Sequence, residues 1–261
     1  MKSLICFTLL VQLGFSSPVK SQANNWNLIW QDEFSKDGKP DSTNWNFAGR
    51  GKADWNCYCS DDISNSMVKN GRLFLSGIVS KGASDTAQYQ TGCISTKNKF
   101  SFKYGKLEVR AKLGKGQGSW PAIWLLPEHG SWPKGGEIDV MEQLNFDTIF
   151  YQTMHSYFID VLKHKDDPKH YSTAPFKVDE FNIFGMEWYP DRIDLLINGA
   201  KTFSYAKIEN DTTGTQWPFD QKFYVLLDQA LGGNWAGPVK KEDLPVSMQV
   251  DWIRVYQLKN Q

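Results

Sequence analysis

The stretch Gly135-Gly136-Glu137-Ile138-Asp139-Val140-Met141-Glu142 constrains this chain more than any other. It sets three carboxylates within six residues, among Ile, Val and Met that favour a pleated strand. Isolated carboxylates are costly to bury, so acids interleaved with sheet-forming residues need something to face. Alternation along a strand sends Glu137 and Asp139 to one face and Ile138 and Val140 to the other. Glu142 lies five positions beyond Glu137, on the opposite face by alternation alone. A one-residue bulge at Val140 or Met141 returns it, and bulges are over-represented beside active sites.

Distance sharpens the reading. Four effective steps of about 3.3 Å put the two glutamate Cα atoms roughly 13 Å apart. Side chains reaching inward on a twisted, concave sheet then bring a carboxyl gap of about 5–5.5 Å within range, the separation of a retaining glycosidase. An inverting enzyme keeps about 6.5–9.5 Å for a water molecule. Asp139, between the glutamates, is placed to bond one carboxyl group and hold the pair in different protonation states. A solvated acidic edge strand or a calcium site answers to the same spacing, and the residues alone leave these open.

Several further motifs carry a resemblance. Glu137-Ile-Asp-Val-Met-Glu142, with Gly118-x-Trp120-Pro-Ala-x-Trp124, resembles glycoside hydrolase family 16 in its bulged form. Trp30-x-Asp32-Glu33-Phe34, Asn44-Trp45 and Glu187-Trp-x-Pro-Asp-x-Ile193 extend the likeness over nearly the whole chain. The resemblance implies Glu137 as nucleophile, Asp139 as its partner and Glu142 as general acid/base. It also places Trp120 and Trp124 along the sugar subsites, makes Asn46 a candidate for the cleft floor, and implies that no cofactor takes part in catalysis. A calcium ion on the convex side, held by Asp251 and backbone carbonyls near Glu33 and Gly71, belongs to the same expectation; Asp251 hydrogen-bonded without metal is its alternative. On the last strand, alternation puts Asp251 on one face with Ile253 and Val255.

Three more residues stand out by position. Trp132 sits on the loop feeding the acidic strand, and Trp235 is framed by glycines in Gly232-Gly233-Asn234-Trp235-Ala236-Gly237. Both are candidate platforms for a sugar ring. His155 falls where the next strand returns beside the acidic one, within reach of Glu142 or the sugar. The segment from Asp160 to Ser172 is dense in charge and reads as a solvated loop beside the cleft.

Asn70-Gly71 and Asn198-Gly199 are hairpin turn signals between short apolar runs, and no capped amphipathic helix pattern is present. The expected fold is all-β, a curved two-sheet β-jelly-roll sandwich with a concave substrate cleft. Met1-Lys2, the apolar run Leu4 to Phe15 and a small-residue site before Ala23 read as a signal peptide over 1–23, with the catalytic domain at 24–261. The apolar run is too short to span a bilayer, and no later segment qualifies. Export makes a disulfide between Cys93 and either Cys57 or Cys59 available, with three free thiols as the alternative.

Removing Lys2 and Lys20 leaves 27 basic against 29 acidic side chains, a balance that argues against nucleic acid as a partner and fits a neutral ligand. The expected protein is therefore a monomeric, secreted or periplasmic endo-acting retaining hydrolase of a β-linked polysaccharide or oligosaccharide. Laminarinase-like cleavage of β-1,3-glucan is the first expectation. The alternatives are an endo-β-galactosidase acting on mucin-type O-glycans or poly-N-acetyllactosamine, and a non-catalytic carbohydrate-binding protein. Tyr151 to Phe158 departs from the simple laminarinase pattern and is what keeps the galactoside open.

Overall fold

The computed structural model describes residues 25–80, 82 and 87–259; the expected signal peptide lies outside these. In chain order the strands are β1 (Trp26–Asp32), β2 (Asn46–Phe47), β3 (Cys59–Ser60), β4 (Ser66–Val68), β5 (Leu73–Val79), β6 (Tyr89–Ser95) and β7 (Gly105–Lys112). Then come β8 (Ser119–Pro127), β9 (Glu137–Glu142), β10 (Ile149–His155), a one-turn helix α1 (Tyr157–Asp160) and β11 (Tyr171–Pro175). The chain continues with β12 (Asn182–Trp188), β13 (Arg192–Ile197), β14 (Ala200–Ala206), β15 (Phe223–Leu231), a second short helix α2 (Gly233–Ala236) and β16 (Val246–Leu258).

These strands make two layers joined at one corner. One sheet runs β11-β10-β9-β8-β15-β6 and the other β5-β16-β7-β12-β13-β14. β6 belongs to both: Cys93 to Ser95 pair with β15, while Tyr89 to Thr91 pair with β5. The sandwich is curved and nearly barrel-shaped, in agreement with the jelly-roll expectation. β1 pairs only with β16, the edge position its short, turn-bounded pattern suggests. Turn chemistry sets the hairpins. Asn198 and Gly199 take φ of 50° and 80° between β13 and β14, and Asn70 and Gly71 take 52° and 70° between β4 and β5. Both pairs have the double positive φ that the tightest β-hairpin turn requires.

Between the sheets lies one continuous core. Ile123 and Leu125 from β8, Ile138, Val140 and Met141 from β9, and Phe223, Val225 and Leu227 from β15 face Leu107, Val109, Phe184, Ile253 and Val255 of the second sheet. Each fully buried aliphatic or aromatic side chain of this kind contributes on the order of 1.5–3 kcal/mol. That packing makes the floor beneath the acidic strand stiff.

One sequence expectation changes here. On β16, Val250 pairs with Ala111 and Trp252 with Arg110, so Asp251 is an extra, bulged residue. The bulge turns Asp251 away from the core that takes Val250, Ile253 and Val255, which corrects the face expected from plain alternation.

Cys59 and Cys93 form a disulfide, and Cys57 is left unbridged, its thiol donating to the Asp54 carbonyl at 3.2 Å. The bond ties the loop from Ala48 to Tyr58 to β6. Cys59→Ser is expected to lower the unfolding free energy in urea by about 2–4 kcal/mol. Cys57→Ser should change it by less than about 0.5 kcal/mol. Equal effects of the two substitutions would contradict the pairing.

Candidate active site

The expected bulge is present at Val140. Glu137 stands opposite His155 and Glu142 opposite Tyr151, so five steps along β9 match four along β10. On the other side Asp139 faces Trp124 and Glu142 faces Ala122, three steps against two. The consecutive residues Val140 and Met141 are both fully buried in the core, which is the signature of the extra residue. Glu137, Asp139 and Glu142 therefore share the cleft face of one strand.

The strand is held at both ends. Gly136 enters it at φ +86°, where a Cβ would come within 2.7 Å of Pro218, so only glycine fits this approach. At the far end the Gln143 amide, fully buried, donates to the carbonyls of Leu144, Asn145 and Asp147. These bonds satisfy the backbone of the turn that stops β9.

Each acid has a distinct environment. Glu142 is 8% exposed, and its Oε1 accepts the Trp120 indole N–H at 3.0 Å. Asp139 is 2% exposed and forms an ion pair with His155 Nε2 at 3.2 Å. Glu137 lies 3.9 Å from the same nitrogen. The other imidazole nitrogen, Nδ1, meets both oxygens of Asp160 at 3.1 and 3.2 Å. His155 thus contacts Glu137 and Asp139 rather than Glu142, a correction forced by register, since Glu142 lies against Tyr151.

Burial, followed by the charges of Asp139 and Glu137, pushes the Glu142 carboxyl well above its ordinary range; His155 and the Trp120 N–H oppose this only in part. Burial and the Asp139 charge also raise Glu137, against the opposing charge of His155. For His155 burial favours the neutral ring, but Asp139, Asp160 and Glu137 override it and hold the imidazole protonated well above its usual range. The His155 cation beside Glu137 favours its ionised form, so Glu142 is the glutamate that keeps its proton to higher pH.

Aromatic side chains surround the acids. Trp120 packs edge-on against Trp235 at 5.3 Å, and Tyr151 meets Trp235 at 5.1 Å. Trp235 is 44% exposed on α2, and Trp132 is 59% exposed with its ring 6.0 Å from His155. Trp124 is different: it is buried in the floor, bonds Asp228 at 2.7 Å and takes the edge of Trp55 at 4.9 Å. Asn46 lies on β2, donates to the Lys97 carbonyl at 2.6 Å and shares a hollow with Trp55, Asn98, Tyr224 and Leu226. A larger hollow floored by Phe34, Trp45, Val68 and Ile94 shares Asn46 and Phe47 with the first and is lined by none of Glu137, Asp139 and Glu142.

Asp228 and Trp55 escape the sequence reading of the site, and Asp160 and Tyr151 enter it only as the first residues of longer segments. For Asp160 a signal exists: Ser156 caps α1 through its hydroxyl, with an acid in the first turn. Asp228 carries none, because one Asp within a nine-residue strand gives no hint of full burial.

At the expected calcium position Asp251, the one side-chain ligand of the set, is ion-paired with Arg110 and, at 3.7 Å, with Arg72, which is the arrangement of the metal-free alternative. Guanidinium groups occupy the place of a cation around Asp251, and the bulge that exposes it to them is the reason; Gly71 remains a turn residue. Glu137, Asp139 and His155 do bring three ligand-type atoms within 4.8 Å of one another.

Comparison with known proteins agrees with this geometry. The family model described as glycosyl hydrolases family 16 matches residues 54–254. A keratan-sulfate endo-1,4-β-galactosidase of Sphingobacterium multivorum is 39% identical over 90% of this chain, which spans only 56% of that protein. A β-glucanase of Rhodothermus marinus is 31% identical over 96% of this chain and 93% of its own length. Among solved structures, a non-specific endo-β-1,3(4)-glucanase crystallised with 1,3-β-D-cellotriosyl-glucose superposes with a TM-score of 0.81 at 29% identity, covering 90% of this chain and 96% of that one.

Asp228 supplies a test of the floor. Burial raises its carboxyl to about 7 from an ordinary 3.8, only partly offset by the Trp124 N–H. A carboxyl raised on folding adds stability that is complete below its unfolded value and is lost as pH climbs through about 7. Asp228→Asn should match the parent in urea unfolding near pH 4 and exceed it at pH 8 by up to roughly 4 kcal/mol. Parallel pH profiles for the two proteins would show that Asp228 is ionised in the native floor.

Proposed function

This chain belongs to glycoside hydrolase family 16, and from that membership we propose that it is an endo-acting β-glycoside hydrolase working by double displacement on β-1,3-glucan. The observation that carries the reading is the bulge at Val140, which sets Glu137 and Glu142 on one face with Asp139 and His155 between β9 and β10. The polysaccharide lies across the cleft between the exposed rings of Trp132 and Trp235. In the first step a Glu137 oxygen bonds to the anomeric carbon as the bond to the leaving oxygen breaks, and Glu142 gives that oxygen its proton. In the second, water bonds to the same carbon, the ester to Glu137 breaks, and the water's proton passes to Glu142.

Trp120 biases where the proton rides. An indole nitrogen only donates, and the carbonyl oxygen of a neutral carboxyl is its better acceptor, which favours Oε1 as that oxygen and Oε2 as the one that carries the proton. Glu142 therefore delivers its proton from Oε2. No step passes through a cofactor. Asp139 and His155 keep the nucleophile's surroundings charged but balanced, which a binding protein would not need; that argues against the non-catalytic alternative.

A second reading is endo-cleavage of β-galactosides in mucin-type O-glycans or poly-N-acetyllactosamine. A specific observation favours it: the relative with 39% identity bears a keratan-sulfate endo-1,4-β-galactosidase name, against 31% for the β-glucanase. The departing segment Tyr151 to Phe158 belongs to it as well, since it leads into α1 beside the acids. Export over residues 1–23 and a monomeric state complete the proposal. The Cys59–Cys93 bond supports an oxidising compartment. Among the described residues no helix is long and apolar enough to cross a membrane.

The expected outcome on a panel of laminarin, mixed-linkage β-glucan, lactosamine chains and mucin O-glycans is a ladder of laminarin products. Internal cuts in lactosamine or mucin chains with laminarin untouched would replace the first reading by the second. Whichever substrate is cut, Glu142→Gln should lower kcat by about 10²–10⁴-fold. Undiminished turnover in that variant would remove Glu142 from the chemistry.

A further inference from the structure

Asp160 is a carboxylate in contact with His155 that the double displacement leaves without a task. It closes α1, four residues after the N-cap Ser156, and stands just behind His155. Its two oxygens meet His155 Nδ1 at 3.1 and 3.2 Å, and Oδ2 also accepts the Ser156 backbone N–H at 3.1 Å. The opposite nitrogen of the ring points at Asp139 and, at 3.9 Å, at Glu137. A side chain gripped on both edges by carboxylates has one orientation, and the cationic ring satisfies both ends as donor.

We propose that Asp160 is a positioning residue of the hydrolytic site, holding His155 as a fixed cation turned onto Asp139 and Glu137. This rests on the assignment of Glu137 as nucleophile. The groups facing the ring are Glu137 and Asp139 from β9 and Asp160 from α1, with the uncharged Trp132 ring above. His170, before β11, acts on Asp160 from farther out, and Lys163 Nζ donates to the Asp160 carbonyl at 2.5 Å. Burial alone favours a neutral imidazole; the Asp160 contact, with those of Asp139 and Glu137, reverses that balance. The cation in turn opposes the burial and the Asp139 charge that both raise Glu137.

The sign of the effect follows. Glu137 attacks only when ionised, so the rate climbs as pH rises through its titration. Without Asp160 the ring loses its anchor and part of its charge, Glu137 holds its proton to higher pH, and the acidic limb of kcat/KM moves upward. Binding of the sugar rests on the aromatic platforms and changes little.

The test is the pH profile of Asp160→Asn and Asp160→Ala, with Ser156→Ala as the control that removes the helix cap and leaves the ring's partner in place. On whichever panel substrate the parent cuts, Asp160→Ala should lose about 10–100-fold in kcat with KM within about twofold. Its acidic limb should move up by about one unit, and Asp160→Asn should move it in the same direction. Ser156→Ala should leave the limb in place. Loss of rate with an unmoved limb in both Asp160 variants would overturn the proposal and leave Asp160 a purely structural residue.

NMR titration of the His155 ring separates this from the hydrolytic reading, since it needs no substrate. The parent ring should titrate well above 6.5 and the Asp160→Asn ring should fall back toward it. An identical titration in both proteins overturns the proposal even if hydrolysis is intact. The expected shift in a parent that cuts no glycan overturns the nucleophile assignment instead.

Discussion

The extra residue at Val140 is the constraint on which this molecule turns. Without a bulge, a strand with Glu137 in the cleft would drive the Glu142 carboxyl into the apolar core between the sheets. With it, Val140 and Met141 take adjacent core positions, and all three acids share the outer face. A bulge interrupts the ladder on both sides of β9, so the neighbours must hold the strand without it. They do: Ile138 is buried beneath, Gly136 allows the tight entry, and Gln143 ties the exit turn.

Electrostatics follows from that geometry. Three carboxylates on one strand face repel, and burial raises their cost further. A single imidazole between Asp139 and Asp160 relieves the side nearest Glu137, while Glu142 keeps a neutral indole as its partner. Two glutamates on one strand thus acquire different proton affinities from what stands beside them. The division of labour in double displacement requires that difference.

Much of this could be read in the chain, and the failures share causes. Alternation and spacing reveal the acidic face, the bulge and the strand that returns as β10, because these depend on local period. Asn-Gly pairs mark their hairpins for the same reason. Asp251 is misplaced because a second bulge carries no motif of its own, and its arginine partners at 72 and 110 are distant in sequence. Asp160 reads as part of a charged solvated loop, since charge density says nothing about one carboxylate turning back onto a histidine. The resemblance implies a sugar-subsite place for Trp124, yet its indole bonds Asp228 and lies buried in the floor. Between Cys57 and Cys59, spacing offers no choice; the parallel pairing of β3 with β6 makes it.

The central claim is that one bulge puts both glutamates on a single face for a two-step displacement with a covalent intermediate. Proton NMR of the anomeric signals in the first minutes of hydrolysis tests it most directly. Retention predicts that the β-anomer of the new reducing end appears first and then mutarotates. First appearance of the α-anomer would mean single displacement by water, and would contradict Glu137 as nucleophile and Glu142 as its acid/base partner.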